Sequence, residues 1–341
     1  MYKKCGKQSV KFAEPVTVKA AASVVGPKEG EGPLAAHFDR IAEDQFFGEE
    51  TWEKAESKFL KNTMELAMSK AGVKKDDIDC VLSGDLLSQS IGSTFGVRDF
   101  GLPFFGIFGA CSTFGEGMTL GAMMIDGGFA QNVLFGASSH FCAAERLFRF
   151  PLELGAQTTP TSSRTVTGAG AGVLVKAGGG PYVTYATTGR IVDLGVKDAN
   201  NMGAAMAPAA ADTLSAHFAD TGRKPEFYDV IATGDLGYVG RDILLGLMRE
   251  EGCDLAGLTG YTDCGIEIYD KESQDTKNGG SGCGCSAAAF SGYFFNKLKN
   301  KEIRNILLVP TGALLSTVSA QQGESIPCVA HAVAIENEWG R

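Results

Sequence analysis

Apolar positions along the chain switch repeatedly between two periods. Over Glu53–Ala71 the residues Ala55, Phe59, Leu60, Met64 and Ala67 recur at three- and four-residue spacing. That spacing predicts an amphipathic helix, and Gly72 supplies its stop. Asp79–Ser83 reads as a short buried strand, Phe104–Phe108 as another apolar run, Thr113–Ile125 as a helix and Asn132–Phe135 as a strand again. Strands that alternate with helices predict an α/β sheet whose central strands are buried on both faces. The Ala/Met-rich stretch Ala204–Ala211 leads into a further helix, with Pro208 expected in its first turn.

The pattern repeats. Asp79-Cys80-Val81-Leu82-Ser83-Gly84-Asp85-Leu86 matches Asp229-Val230-Ile231-Ala232-Thr233-Gly234-Asp235-Leu236. Cys111-Ser112 opens a Gly/Ala-rich helix that leads to Asn132-Val133-Leu134-Phe135, and Cys285-Ser286 opens one that leads to Asn305-Ile306-Leu307-Leu308. Two ordered matches indicate a duplication. We divide the chain into halves 1–177 and 178–341, with Gly178-Gly179-Gly180-Pro181 as a turn between hairpin-like strands at the joint.

Composition narrows the function. The 341 residues include 45 glycines and 44% apolar residues, which excludes disorder as the main state and makes a purely helical bundle unattractive. A net charge of −9 without any Lys/Arg block argues against nucleic acid as a partner. No apolar run approaches the roughly 20 residues of a membrane span, and the N-terminus lacks a signal-peptide core, so a soluble or peripherally attached protein is expected. Nine scattered cysteines do not form a disulfide framework. Cys283-Gly284-Cys285 has no second pair to complete a zinc site, so neither a metal nor a cofactor is expected.

The sharpest local feature is Phe105-Gly106-Ile107-Phe108-Gly109-Ala110-Cys111-Ser112-Thr113-Phe114-Gly115-Glu116-Gly117. An apolar strand ends in a small-residue turn, and a cysteine stands at the start of a helix. This is the layout of a nucleophile elbow. A helix N-terminus would lower the thiol pKa and favour the thiolate. Three readings follow: a nucleophile, an anion-holding helix start, or a cysteine buried where only a small residue fits.

Gly84-Asp85-Leu86-Leu87, Arg98, Gly101-Leu102-Pro103, Cys111-Ser112 and Gly117 together resemble the first half of a thiolase or β-ketoacyl synthase. The resemblance implies a thiolase-like α/β fold of two duplicated halves in a five-layer αβαβα stack. Gly109–Gly117, Gly203–Leu214 and Ile326–Ala332 are similar to the stage V sporulation protein AD group. That group implies a non-catalytic sporulation protein that binds dipicolinic acid (pyridine-2,6-dicarboxylate) and serves its movement into and out of the spore. It also implies a peripheral place at the forespore or spore inner membrane, the other stage V sporulation A membrane proteins as partners, and a homodimer. The dimer would continue the sheet through Phe104–Phe108; the pairs Phe104-Phe105 and Phe294-Phe295 offer either interface or core.

The chain departs from the enzyme pattern. Condensing enzymes add two His, or His and Asn, to the cysteine, to activate the thiol and stabilise the oxyanion. Here Thr233-Gly234-Asp235 and Gly279-Gly280-Ser281-Gly282 stand at those places, with Ser281 in the expected His slot, and Pro310-Thr311-Gly312-Ala313 replaces the last motif. The alternative, an acyltransferase that uses Cys111 on an acyl thioester, therefore lacks its partners. For a bound dicarboxylate the expected contacts are Cys111, Ser112, Asp235, Ser281, Ser286, His140 and Arg164.

Overall fold

The structure, a computed structural model, describes residues 3–148 and 158–340. In the first half the main strands are β1 (Ser9–Val25), β2 (Cys80–Gly84), β3 (Phe104–Gly106), β4 (Asn132–Ser139) and β5 (Gly168–Lys176), with main helices α1 (Trp52–Ala71) and α2 (Thr113–Asp126). The second half supplies β6 (Tyr182–Thr188), β7 (Val230–Thr233), β8 (Tyr261–Asp263), β9 (Asn305–Val309) and β10 (Cys328–Glu336), with α3 (Met202–Thr221), α4 (Gly237–Glu250) and α5 (Cys283–Ala289).

These strands lie in the order β8-β7-β9-β10-β6-β1-β5-β4-β2-β3. The order is symmetric about the β6–β1 junction. From β1 outward the pairings run antiparallel, antiparallel, parallel, parallel. From β6 outward they run the same way. The ends of α1 and α3 match too, since Trp52 and Ala71 correspond to Met202 and Thr221 at the 150-residue offset of the repeat.

Period-two alternation sorts the strand side chains into layers. Leu82, Val133 and Phe135 face the middle with α2 and α5, as do Ile306, Leu308, Val333 and Ile335 from the other half. Val81 and Leu134 face outward onto Phe59, Leu60 and Met64 of α1. Leu307, Val309, Ala332 and Ala334 face the opposite way, onto Met206, Ala210 and Leu214 of α3 and Leu244 and Met248 of α4. The result is helix, sheet, helix, sheet, helix: five layers with α2 and α5 in the centre.

Local chemistry explains the element ends. Thr51 caps α1 by accepting from the Lys54 N–H, and Gly72 closes it at φ 64°. Close packing explains one of the glycines. A Cβ on Gly170 of β5 would stand 2.1 Å from the Ala287 carbonyl oxygen, so α5 can lie on this strand only because the residue has none.

Two expectations are corrected and one open alternative is decided. Pro208 lies six residues into α3 rather than in its first turn. The helix begins earlier because Ala205, Met206 and Ala207 already bury a face in the outer core. The strands flanking the Gly178–Pro181 turn do not pair with each other, because β1 lies between them and bonds both. Phe294 and Phe295 are core residues, whereas Phe105 is 52% exposed.

Candidate functional site: the cavity in front of Cys111

Cys111 sits in the turn between β3 and α2, and that turn is tied by its own hydroxyls. The Thr113 hydroxyl donates to the Ala110 carbonyl at 2.6 Å and accepts from the Gly109 N–H at 3.1 Å. The Ser112 hydroxyl donates to the Gly109 carbonyl at 2.7 Å. Ala110 is held at φ 49°, a conformation that costs a residue with a Cβ roughly 1–2 kcal/mol. Strain of this kind gathers where a neighbouring side chain must be aimed.

The second half meets this turn through two carboxylates and one hydroxyl. Asp263, at the end of β8, accepts from the Thr233 hydroxyl at 2.6 Å and from the Leu236, Gly237 and Gly265 N–H groups at 2.9, 3.0 and 3.0 Å. It thereby fixes the turn after β7 and leaves Asp235 to point elsewhere. Asp235 accepts from the Ser281 hydroxyl at 2.7 Å and from the Gly282 N–H at 3.2 Å. The Ser281 Oγ lies 3.8 Å from the Cys111 Sγ. Ser281 is positioned by parallel pairing of Gly280–Ser281 with Arg164–Thr165. Two further thiols dock α5 on both turns: Cys283 donates to the Ala110 carbonyl at 2.9 Å and Cys285 to the Gly234 carbonyl at 3.4 Å.

Burial dominates the electrostatics. It pushes Asp235 up to about 7, against the bond from Ser281, and pushes Asp263 up to about 6. Burial, reinforced by the charge of Asp235, holds the Cys111 thiol well above its ordinary value. The thiolate expected at a helix start is therefore not the form present: Cys111 is a protonated thiol.

A cavity of about 40 Å³ opens beside these groups, lined by Leu86, Cys111, Glu145, Ser163, Thr165, Ala199, Met202, Ser281, Gly282, Ala313 and Leu315. That is room for roughly three waters at about 10–15 Å³ each. Among the described residues, no Lys, Arg or His lines it.

Of the candidate contacts, the structure brings together Cys111, Ser281 and Asp235. The Ser112 hydroxyl is spent inside its own turn. Ser286 is the fourth residue of α5 rather than its start, and its buried hydroxyl has no partner among the described residues. His140 lies away from the cavity; its Nε2 is 2.8 Å from the Gln45 carbonyl oxygen and burial lowers its pKa. Arg164 faces the other side of its short strand, with its guanidinium 3.8 Å from the centre of the Phe141 ring. Strand alternation is the reason, because Ser163 and Thr165 take the cavity face. Those two residues were not anticipated, although the run Thr161-Ser162-Ser163-Arg164-Thr165 carried the signal. Asp263 was also missed, and its N-cap position before Cys264-Gly265 could have marked it. Among the described residues, no group of three or more His, Cys, Asp or Glu could hold a metal ion.

This arrangement can be set beside known proteins. The chain matches the stage V sporulation protein AD family over residues 6–336. It is 42% identical to stage V sporulation protein AD of Bacillus subtilis (strain 168) over 335 residues, covering 98% of both chains. The chain belongs to the stage V sporulation protein AD family. Its fold is thiolase-like. A variant of Xanthomonas campestris OleA superposes with a TM-score of 0.61 at 14% identity, covering 95% of this chain and 99% of OleA. The 3-oxoacyl-[acyl-carrier-protein] synthase III of Aquifex aeolicus gives 0.56 at 13% identity, covering 94% and 99%. At such identities these two show the fold alone. In this member of the sporulation family the two halves thus meet at a protonated cysteine, a serine and a buried aspartate.

Proposed function

We propose that this protein is a non-catalytic sporulation protein that binds dipicolinate in the cavity in front of Cys111 and so serves its movement into and out of the spore. One observation carries the reading against acyl transfer. The Cys111 thiol is buried and protonated, and its neighbours are Ser281 and Asp235 rather than the imidazole or amide donors that stabilise an oxyanion. Binding needs no such donors. The hydroxyls of Ser163, Thr165 and Ser281 on the cavity wall suit carboxylate oxygens. At about 40 Å³ the cavity must widen to admit a planar aromatic ring, and the adaptable thioether of Met202 on its wall permits this.

Family membership supports a place at the spore inner membrane beside the other stage V sporulation A membrane proteins. Among the described residues no helix is long and apolar enough to cross a membrane, which fits peripheral attachment. A homodimer is supported by β3, which among the described residues pairs on one side only, and by the exposed Phe105, Phe108 and Phe129 beside it.

Calorimetric titration tests the binding. Dipicolinate should give a saturable heat, and isophthalate, which lacks the ring nitrogen, a weaker one. Absence of saturable heat with dipicolinate overturns the reading.

A further inference from the structure

The cavity presents a charge problem. A dicarboxylate brings two negative charges to a wall whose described residues include no Lys, Arg or His, with Asp235 one hydroxyl behind it. A carboxylate placed near a buried, ionised aspartate is repelled strongly, because little water screens the pair.

Ser281 stands between the two. A hydroxyl has one proton to donate. While Asp235 is ionised, that proton is committed to the Asp235 Oδ2 at 2.7 Å, and Ser281 shows the cavity only lone pairs. Once Asp235 is protonated, its carboxyl O–H can donate to the Ser281 Oγ. The serine hydroxyl then turns and donates into the cavity. One proton thus removes a negative charge and converts an acceptor on the cavity wall into a donor.

Resting on the binding reading above, we propose that Asp235 and Ser281 form a proton-operated switch: the site takes a carboxylate ligand together with one proton from solution, which resides on Asp235. Two further observations fit. The Asp235 Oδ1 is buried with no hydrogen-bond partner among the described residues. Its other oxygen is held by a hydroxyl and an N–H, which serve a carboxylate or a carboxylic acid alike. The ionisable groups near enough to feel its charge are Asp263, from the end of β8, and the thiols of Cys111, Cys264, Cys283, Cys285 and Cys328. Burial raises all five thiols, so at neutral pH they are uncharged and Asp263 is the one charge among them. Asp263 favours the proton on Asp235. With Asp235 titrating near 7, proton uptake on binding is small at pH 6 and approaches one above pH 8.

The test is calorimetry with dipicolinate from pH 6 to 8.5, in buffers of low and high ionisation enthalpy. Dipicolinate is itself doubly ionised throughout this range. The expected result is a Kd that rises about eightfold between pH 7.5 and 8.5, with uptake of close to one proton at pH 8.5. Asp235→Asn mimics the protonated acid, so it should bind with no pH slope and no uptake. Ser281→Ala should bind more weakly at every pH but keep part of the slope and of the proton uptake, because the charge of Asp235 still repels the ligand. Binding by the wild-type protein with no uptake at pH 8.5 overturns the switch but leaves the binding site intact. An Asp235→Asn variant that keeps the wild-type slope also overturns it, by placing the proton elsewhere. Loss of dipicolinate heat at every pH in the wild-type protein overturns the binding reading itself. Should Asp235→Asn fail to fold, the buffer comparison on the wild-type protein decides alone.

Discussion

At Cys111 two effects oppose each other, and their sizes decide the outcome. A helix N-terminus favours a negative charge by about 0.3–1 kcal/mol, and by about 2 kcal/mol at best. Full burial moves a pKa by up to about 3–5 units, each worth about 1.36 kcal/mol. Burial wins, and the nearby carboxylate of Asp235 adds to it. The sequence motif is that of an elbow, but burial holds the thiol it presents in its protonated form. Iodoacetamide at pH 8 should therefore modify Cys111 at least about tenfold more slowly than the half-buried Cys253, with peptide mass spectrometry as the readout. Modification of Cys111 ahead of Cys253 would restore the nucleophile reading. The duplicated Gly-Asp-Leu shows how one motif can serve two ends. In the first half Asp85 ties its own turn, accepting from the Leu87 N–H at 2.8 Å and the Ser93 N–H at 2.7 Å. In the second half Asp263 has taken over that task, and Asp235 is released toward Ser281 and Cys111. That exchange could not be read in advance, because it depends on which strand edge β8 occupies.

The elements themselves were largely legible. Apolar spacing marked the helix that runs Trp52–Ala71, and the Gly72 stop is where the chain turns left-handed. The Thr113 helix start and the β2 and β4 runs were visible for the same reason: each buries a face whose period is fixed by its geometry. Edges were less legible. β3 ends at Gly106 rather than Phe108, because Ile107 turns inward to pack against Gly117 of α2. Arg164 was misplaced for a related reason. Its two-residue strand is too short for alternation to announce which side chain faces the cavity. Ser281 was placed in the site because Gly279–Gly282 stands where the condensing-enzyme motif carries its His. The hydroxyl run 161–165 was missed because strand pairing with Gly280–Ser281, not local pattern, brings it to the site.

For the whole molecule, the duplication accounts for both the fold and the location of the cavity. The two halves repeat the same strand order and meet at the centre, where Cys111 comes from the first half and Asp235 and Ser281 from the second. The same symmetry leaves β3 and β8 as the outer strands. Among the described residues a phenylalanine patch stands open beside β3 alone, with Phe129 84% exposed and Phe105 and Phe108 about half exposed. Unpaired strand edges of this kind associate readily, and a two-fold axis would pair β3 with its own copy. Light scattering at micromolar concentration should give twice 35.8 kDa, and Phe105→Asp should shift the mass toward the monomer. A wild-type monomer would contradict the dimer. Whether the space in front of Cys111 binds without catalysing is decided by a crystal structure of the protein soaked with dipicolinate. A planar ring should appear there, bounded by Cys111, Thr165 and Ser281, with one carboxylate against the Ser281 hydroxyl and no bond to the Cys111 Sγ. A ligand bound elsewhere, an empty cavity at saturating ligand, or a covalent adduct on Cys111 would refute this reading of the site.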